Sequence, residues 1–494
     1  MLQRRTMLTI GATAVGGAAL APVLGRLGAA AGELPAAPPA DHSAHANHQA
    51  TALETRVTVA PEFVPFSVRM PVPRELAPKR RTRAADEYEV DITATTAELV
   101  PGIQTPVFAY GGSFVGPTIR AKTGRPVAVT FRNRLDREAN VHLHGGHVPA
   151  TSDGHPMDLI APGAAKRYEY PNSQRGATLW YHDHSHGTES ENVYRGLHGF
   201  YLIEDDAERH LNLPRGAYDV PIMLTSAQFD ETGAMVYGNP GLRTTILLNG
   251  KAQPHFPVAA RKYRFRLLNA TNEGVFRLSL GGAPLTQVGT DQGLLPAPVP
   301  RTEIKFGSGE RVDVVVDFSG LPVGTQLMLT DATSGGLLRF DVTQRAHDDS
   351  RLPQVLRPLP PVPPAVRERE VVLSFDLAGP MPQGLVNGQT YDPDRVDFQI
   401  KEGTTEIWRI VNGDGGFGFL HNFHLHLTNF RVLDRDGVPP SIDDLGLKDT
   451  VSVPPGTSVR VAATFAGFLG RYAYHCHFLE HSSVGMMAQM EIVP

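Results

Sequence analysis

Short stretches in which apolar and polar residues alternate run along most of the chain, and one of them recurs three times, each time ending in asparagine. The three copies occupy residues 129–133, 263–269 and 407–412. Alternation with a period of two is the pattern of a half-buried β-strand. The chain therefore contains an internal repeat whose first element is a strand.

The rest of each copy follows one order. His142-Leu143-His144 in the first copy corresponds to His424-Leu425-His426 in the third, and residues 276–280 take this place in the second. A turn and a strand come next, and the turns are Pro162-Gly163, Ser308-Gly309 and Pro455-Gly456. The closing strands are residues 180–184, 328–332 and 473–477. Because the second copy lacks the histidines, we interpret it as a structural spacer.

The length of the chain and its turn content indicate which domain architecture the repeat forms. The 494 residues exceed the usual size of one hydrophobic core, and 49 Gly with 41 Pro indicate many turns and few long helices. The pattern predicts an all-β chain of Greek-key β-sandwich or β-barrel domains, one per copy. We place these domains at residues 52–206, 207–348 and 369–494, with a stiff proline-rich linker at 349–368.

The N-terminus has the features of an export signal. Gln3-Arg4-Arg5-Thr6-Met7-Leu8 contains a twin arginine, a stretch of small apolar residues follows, and Ala29-Ala30-Ala31 is a candidate cleavage site. A short membrane anchor is the alternative, but the stretch is short and weakly apolar for a span. We predict a twin-arginine signal peptide at 1–31, a disordered tail at 32–51, and export to the cell envelope or the exterior without a later membrane segment.

Charge and cysteine usage narrow the function. A formal net charge of −5 and the scarcity of basic runs argue against nucleic acid as a partner. An exported chain with one cysteine forms no internal disulfide, so Cys476 is either a small buried residue or a ligand. Its position between His475 and His477, and before His481, favours a metal ligand.

Half of the 20 histidines fall into four clusters, which are His142/His144, His182/His184, His421/His424/His426 and His475/His477/His481. Histidines two apart on a strand lie on one face, so each such pair can point both imidazoles into one cavity. Cys476 faces the other way from its two histidine neighbours, and one strand can therefore touch two metal centres. In the first copy Asp183 stands where Cys476 stands in the third.

The ligand types around Cys476 indicate a particular metal centre. A thiolate with two imidazoles and a long, weak thioether forms a blue-copper electron-transfer site. Cys476, His481 and Met486 supply three of these ligands, Met487 competes with Met486 by composition, and the fourth ligand must be a histidine elsewhere.

The four motifs, HLHG, WYHDH, HNFHLH and HCHFLEHSSVGM, resemble those of the multicopper oxidases across essentially the whole exported chain. The chain is most similar to the branch of bacterial spore-coat laccases and bilirubin oxidases, because HLHGG is followed by Ser152-Asp153-Gly154. The resemblance implies three cupredoxin domains. It places copper in the third domain and at the boundary of the first and third.

The resemblance also implies ligand roles for four coppers per chain. It assigns His421, Cys476, His481 and Met486 to the type 1 copper, His142 and His424 to the type 2 copper, and His144, His182, His184, His426, His475 and His477 to the type 3 pair. His186 extends the second motif but falls outside the family pattern. We interpret it as an outer or structural residue.

Protons must reach an oxygen-reducing site, and an acid near it is the usual source. Asp153 is the candidate relay because laccases that this chain resembles carry an acid at that place, although ordinary turn chemistry would also explain it. Relatives in this branch often have an acid directly after the last blue-site histidine. This chain has Ser482 there, and Glu480 does not obviously replace the acid.

The leading hypothesis is a laccase-like oxidase that couples one-electron oxidation of a small aromatic donor to reduction of dioxygen to water. Phenols, aminophenols, aromatic amines and bilirubin-type pigments are the expected donors. A cuprous oxidase is the alternative, although only 11 methionines are scattered along the chain. A copper-binding protein without turnover is a third possibility. Residues 413–418, with Phe417 among glycines, are a candidate wall of the donor site.

Overall fold

The computed structural model describes residues 61–494. The predicted signal peptide, the predicted tail and residues 52–60 of the predicted first domain lie outside the described residues. Within 61–494, no helix combines the length and the apolar character needed to cross a membrane.

Two sheets form the first structural unit of the described chain. Its strands are β1 (Arg80–Arg81), β2 (Asp86–Glu98), β3 (Gln104–Tyr110), β4 (Gly116–Lys122), β5 (Val127–Asn133), β6 (His142–His144), β7 (Ala165–Tyr170), β8 (Ala177–His182) and β9 (His198–Glu204). One sheet has the order β1-β2-β5-β7 with β3 paired to β2, and the other has the order β4-β9-β8-β6. The helix α1 (Glu189–Tyr194) connects β8 to β9.

The middle unit has the same two-sheet design. Its strands are β10 (Asp219–Ala227), β11 (Thr245–Leu248), β12 (Lys251–Ala252), β13 (His255–Ala260), β14 (Lys262–Asn269), β15 (Val275–Leu280), β16 (Leu285–Thr290), β17 (Gly293–Arg301), β18 (Ile304–Gly307), β19 (Arg311–Asp317), β20 (Gln326–Asp331) and β21 (Gly335–Arg345). The sheet orders are β12-β11-β10-β14-β19-β16-β17 and β13-β21-β20-β15-β18.

The third unit closes the described chain. Its strands are β22 (Arg367–Asp376), β23 (Gln383–Val386), β24 (Phe398–Lys401), β25 (Thr404–Asn412), β26 (His421–Leu425), β27 (Phe430–Arg435), β28 (Thr450–Val453), β29 (Ser458–Phe465), β30 (Gly470–Cys476) and β31 (Met487–Val493). The sheet orders are β23-β22-β25-β29-β27 and β24-β31-β30-β26-β28. The helix α2 (Leu479–Ser483) lies between β30 and β31.

The recurring asparagines explain why the repeated strands end where they do. Asn133, Asn269 and Asn412 are the last residues of β5, β14 and β25. Each side-chain oxygen accepts the N–H of the residue two positions on, at 2.9, 3.1 and 2.9 Å, which is an Asx turn. Each side-chain amide also donates to a backbone carbonyl outside its own sheet. The asparagine therefore ends the strand and ties it across the domain.

Alternate residues of the repeated strands fill the space between the two sheets of each unit. Val129 of β5, Phe265 of β14 and Trp408 of β25 are buried in three separate apolar cores. Burial of one large apolar side chain contributes about 1.5–3 kcal/mol, so each core is a major source of its unit's stability. A further cluster that includes Trp180 and Met223 joins the first unit to the middle one.

Residues 346–366 form no helix or strand, as the proline content predicts. Their path is nevertheless fixed. Leu356 is buried, its N–H donates to the carbonyl of Pro296 at 2.8 Å, and the Arg357 guanidinium contacts carboxylates of Asp205 and Glu208. The segment is therefore fastened along the surface of the units before it. The exact domain boundaries stay predictions.

Candidate metal centres

Strand pairing brings the histidine motifs together. β6 pairs with β8 so that His142 lies opposite His182, and β26 pairs with β30 so that His424 lies opposite His475. His144 shares a face of β6 with His142, whereas His184, His426 and His477 lie just past the ends of β8, β26 and β30 and reach the same cluster through ring contacts. Eight histidines meet between the first and third units: His142, His144, His182, His184, His424, His426, His475 and His477.

These eight rings, hereafter the eight-histidine cluster, are compact and buried. The rings of His142 and His426 stack with centroids 3.9 Å apart, and those of His144 and His424 stack at 3.7 Å. His475 Nε2 lies 3.1 Å from His184 Nε2 and 3.2 Å from His426 Nε2. None of the eight rings is more than 1% exposed.

One nitrogen of each ring faces an oxygen on the outside of the cluster. Backbone carbonyls of Asp153, Asp183, Asp449 and Cys476 lie 2.6–2.9 Å from Nδ1 of His142, His182, His424 and His475, respectively. Side-chain oxygens of Asp449, Glu189, Asp153 and Ser308 lie 2.6–3.3 Å from His144 Nε2 and from Nδ1 of His184, His426 and His477, respectively. Outer partners of this kind fix the orientation of metal-binding histidines.

The inner nitrogens fit a metal. Those without any hydrogen-bond partner are His142 Nε2, His144 Nδ1, His182 Nε2, His424 Nε2 and His477 Nε2. Buried nitrogens of this kind are rarely left unsatisfied in proteins. Burial lowers the pKa of His182 and of His475 to about 3, so these rings are neutral and turn lone pairs inward. A cation satisfies such a set, and imidazole nitrogen is a preferred ligand of copper.

A second cluster lies on the other face of β30. Cys476 Sγ is 3.7 Å from His421 Nδ1 and 3.5 Å from His481 Nδ1. His421 Nε2 faces the Asp414 carboxylate at 2.8 Å, which leaves Nδ1 free for a metal. Burial raises the pKa of the Cys476 thiol to about 12, so deprotonation requires a nearby positive charge. The residues of this cluster suit a blue-copper centre.

The two adjacent methionines pack in different places. Met486 belongs to the apolar core that contains Cys476, whereas Met487 packs with Tyr391 and Ala473. Both side chains are fully buried. This packing supports Met486 over Met487 as the thioether beside Cys476.

The sequence leaves two interpretations of Asp153 open, a proton relay and a turn residue, and its contacts are compatible with both. Its carbonyl faces His142, and its carboxylate accepts a hydrogen bond from His426 Nδ1 at 2.7 Å. It also follows a 3-10 turn and precedes Gly154, whose φ is +77°. Burial raises the pKa of the Asp153 carboxyl to about 7. The acid therefore shapes the turn and touches the cluster, and its proton-relay role stays a prediction.

Two acids beside the cluster are missing from the sequence-based prediction. Glu189 in α1 lies 2.6 Å from His184 Nδ1, and Asp449 faces His144 and His424. Burial alone would raise the pKa of Glu189, but its close contact with His184 outweighs burial and lowers that pKa to about 2. Neither acid belongs to a histidine motif. The only local signal is that Glu189 follows His184 by five residues.

His186, predicted to be an outer or structural residue, lies apart from the inner nitrogens. Its ring centroid is 4.8 Å from that of Tyr391. Its role as an outer or structural residue stays a prediction.

The middle unit is more than the spacer that the sequence indicates. Its turn between β18 and β19 reaches the eight-histidine cluster, where Ser308 Oγ lies 3.3 Å from His477 Nδ1. Gly309 has a φ of +81°, and a Cβ there would lie 2.8 Å from the same nitrogen. The prediction that this unit has no copper ligands stays a prediction, and the structure adds that the unit supports a ligand histidine from outside.

Arg311 extends this support to two more histidines. It is completely buried, and its guanidinium binds both carboxylate oxygens of Asp449. The Asp449 carboxylate faces His144 Nε2, and its carbonyl accepts from His424 Nδ1. Bidentate Arg–carboxylate pairs fix geometry as well as charge. Arg311 therefore holds Asp449 in place. Asp449 in turn orients His144 of the first unit and His424 of the third.

Comparison with known proteins agrees with this geometry. Sequence models described as multicopper oxidase match residues 91–208, 217–346 and 361–494. A laccase from Bacillus subtilis (strain 168) is 35% identical over 86% of this chain and 98% of its own length. The chain belongs to the multicopper oxidase family.

Other multicopper oxidases that this chain resembles carry different functional names. A bilirubin oxidase from Albifimbria verrucaria is 33% identical over 87% of this chain and 82% of its own length. The crystal structure of a laccase from Pediococcus acidilactici Pa5930 gives a TM-score of 0.82 at 31% identity, covering 88% of this chain and 95% of that one. A Campylobacter jejuni multicopper oxidase described as a metallo-oxidase gives 0.78 at 25% identity, covering 88% and 97%.

These relatives confirm two predictions. The all-β fold of three cupredoxin-like domains is shared with multicopper oxidases of known structure. Family membership also makes this protein a copper-dependent oxidoreductase that uses dioxygen as its electron acceptor.

Proposed function

We propose that this multicopper oxidase oxidises small aromatic donors of the phenol, aminophenol, aromatic amine or bilirubin type, one electron at a time, and reduces dioxygen to water. The observation that carries the proposal is the strand β30. It presents Cys476 to one ligand cluster and His475 to the other, and His477, directly after the strand, joins His475 there. A donor-facing centre and a buried centre are thus joined through one peptide segment.

Four coppers per chain fit the two clusters. We assign His421, Cys476, His481 and Met486 to type 1, His142 and His424 to type 2, and the other six histidines to the type 3 pair. Ring-centroid distances are compatible with this division, although the stacked pairs His142/His426 and His144/His424 lie closer still, at 3.9 and 3.7 Å. His144, His182 and His477 lie 4.7–5.7 Å from one another, His184, His426 and His475 lie 4.7–5.3 Å apart, and His142 lies 5.8 Å from His424.

Copper, when bound, supplies the one-electron redox changes that the side chains themselves cannot make. The protein contributes position and exclusion of water. The eight-histidine cluster is buried, whereas His481 is 9% exposed and forms the edge of the other cluster. His475-Cys476-His477 is the short covalent connection between them. A donor would therefore give up its electron beside His481, while the eight-histidine cluster stays shielded from water.

The donor side carries a line of aromatic rings. Phe375 packs edge-on against His481 with ring centroids 4.7 Å apart, Phe419 lies 5.3 Å from Phe375, and Phe417 stacks on Phe419 at 6.2 Å. Phe417 is 65% exposed. Exposed aromatic faces bind flat aromatic molecules by offset stacking. The rings therefore form a surface for an aromatic donor that leads to His481, and Phe417 belongs to residues 413–418, the predicted wall of the site.

Oxygen uptake by the copper-loaded protein tests the proposal. We expect turnover with a phenol to exceed turnover with Cu(I) under the same conditions. Phe417→Ala should raise KM for the phenol severalfold and leave KM for Cu(I) unchanged. Val323→Ala, at an exposed site in the middle unit, is the control. A strong preference for Cu(I) would favour the cuprous oxidase alternative, and no oxygen uptake with either reductant would favour a copper-binding protein.

We also propose that residues 1–31 direct export by the twin-arginine pathway. The paired Arg4 and Arg5 before a stretch of small apolar residues support this. Replacing both arginines by lysine in the full chain should hold the protein inside the cell. Unchanged export of that variant would contradict the proposal.

A further inference from the structure

Glu189 is a buried carboxylate that reaches from α1 to a histidine of the cluster. Its side chain has no exposed surface. One oxygen lies 2.6 Å from His184 Nδ1, in a contact too bent for a regular hydrogen bond, and the other accepts the hydroxyl of Ser482 in α2. A buried carboxylate is unfavourable unless such partners satisfy it. One oxygen is therefore held by a hydrogen bond, and the other by its close contact with His184.

Ser482 is the residue directly after His481, so the contact links the two metal clusters. Ser482 Oγ also lies 3.2 Å from the carbonyl oxygen of Leu479, so its single hydrogen is shared between Glu189 and the backbone of α2. The Glu189 carboxylate thus bridges the Ser482 hydroxyl and the His184 ring. The sequence has no acid at position 482, and the carboxylate beside His184 comes instead from a different helix.

The outer partner of His184 differs from those of its neighbours in the length of its side chain. Four of the other seven outer oxygens are backbone carbonyls, which cannot rotate away. Glu189 has a long, rotatable side chain. A second partner that holds its carboxylate removes this freedom, as expected of an outer residue that sets the orientation of a metal-binding imidazole.

We propose that Glu189, held by Ser482, is a positioning residue for the oxygen-reducing centre: it fixes His184 with Nδ1 toward the carboxylate and Nε2 toward the metal. This inference rests on the proposed role of His184 as a ligand. Relatives in this branch often have a single acid directly after the last blue-site histidine. In this chain two residues take its place, Glu189 on α1 and Ser482 on α2. A role limited to joining the two helices, which also meet at Ser190 and Ser483, is the competing explanation.

Copper-loaded variants separate these explanations. Glu189→Gln keeps the size of the side chain and removes its charge. We expect kcat with saturating donor to fall about tenfold or more, the size typical of a lost outer partner, or copper to be lost from the paired site. The near-ultraviolet absorption of the coupled pair should change, while the blue band and KM for the donor stay as in the wild type. Glu191→Gln, on the same helix with ion pairs to Arg195 and Arg137, is the matched control.

Two further variants test the link itself. Ser482→Ala should produce a smaller change of the same kind, and it should add little in the Glu189→Gln background because the two residues share one contact. The exchange variant, Glu189→Ser with Ser482→Glu, should recover much of the kcat and the pair spectrum that Glu189→Ser alone loses. A helix-joining role predicts lower thermal stability with a normal pair spectrum and normal kcat.

The inference is overturned if Glu189→Gln matches Glu191→Gln in copper content, pair spectrum and kcat, or if the exchange variant is no better than Glu189→Ser. Failure of the proposed function would look different. In that case the wild-type protein would consume no oxygen with any donor, whereas failure of this inference alone leaves wild-type turnover intact.

Discussion

Gly309 offers a sharp test of whether the middle domain shapes the metal site, because the repeat provides a matched control. Gly309 has a φ of +81° and Gly163, at the same place in the first domain, has +78°. Alanine at either position costs about 1–2 kcal/mol of backbone strain. A Cβ at position 163 meets no atom within 4 Å, whereas at position 309 it meets three atoms of the His477 ring at 2.8–3.0 Å.

The size of the displacement follows from these distances. Ordinary contact begins at 3.4 Å, so the His477 ring must retreat about 0.6 Å from an alanine at position 309. Ligand distances in metal sites hold to within about 0.2 Å. The displaced ring therefore loses its place in the site. We expect both alanine variants to lower the unfolding temperature similarly, and only Gly309→Ala to lose metal.

Copper per protein after reconstitution, and the absorption of the coupled pair relative to the blue band, measure this difference. Gly309→Ala should bind copper at the buried centre about 10–100-fold more weakly, the range for disturbed outer contacts, with the blue band retained. Equal copper content and equal spectra in Gly309→Ala and Gly163→Ala would refute the claim that the middle domain positions His477.

Three other predictions address the donor-side centre and the acid stability of the fold. Cys476→Ser should abolish the blue colour and turnover while the protein stays folded, and a persistent blue band in its absorption spectrum would refute the ligand assignment. Met486→Leu should keep the colour and raise the potential of the blue centre in a redox titration, because a weak donor is removed; an unchanged potential would point to Met487 or to no axial ligand. Burial raises the pKa of Asp219, but Arg266 outweighs this and lowers it to about 2. This depressed pKa contributes about 2 kcal/mol of stability above pH 4 that is lost as pH falls toward 2. In denaturant unfolding at several pH values, Asp219→Asn should lack this part of the acid loss, and an identical pH dependence would contradict it.

The sequence predicts the strands and the ligands well because both depend on short-range patterns. Alternation in residues 129–133 and the spacing of His142 and His144 are local, and a strand imposes one face on residues two apart. The same alternation predicts that the side chain of Cys476 points to the other face of the strand from those of His475 and His477. Repeated motifs then indicate which parts of the chain correspond, so the order of residues alone is enough to align Asp183 with Cys476.

The support around the ligands could not be predicted in the same way. Asp449 lies more than 300 residues from His144, and Arg311 reaches Asp449 from another domain. Glu189 and Ser482 meet only because two short helices pack together. These contacts depend on how domains dock, which periodicity within one domain does not encode. Glu189 is also an ordinary residue for the first turn of a helix, so its type carries no signal.

The division of the buried site among the domains has a consequence for how the protein matures. Within residues 61–494, the first and third domains each supply four of the eight inner histidines, and the middle domain braces His477 through Ser308. An ion that binds only the docked arrangement stabilises docking by its own binding free energy. Metal loading and domain closure are therefore one coupled equilibrium. Copper supply should set the resistance of the interdomain contacts to heat and proteolysis, while each β-sandwich keeps its separate core.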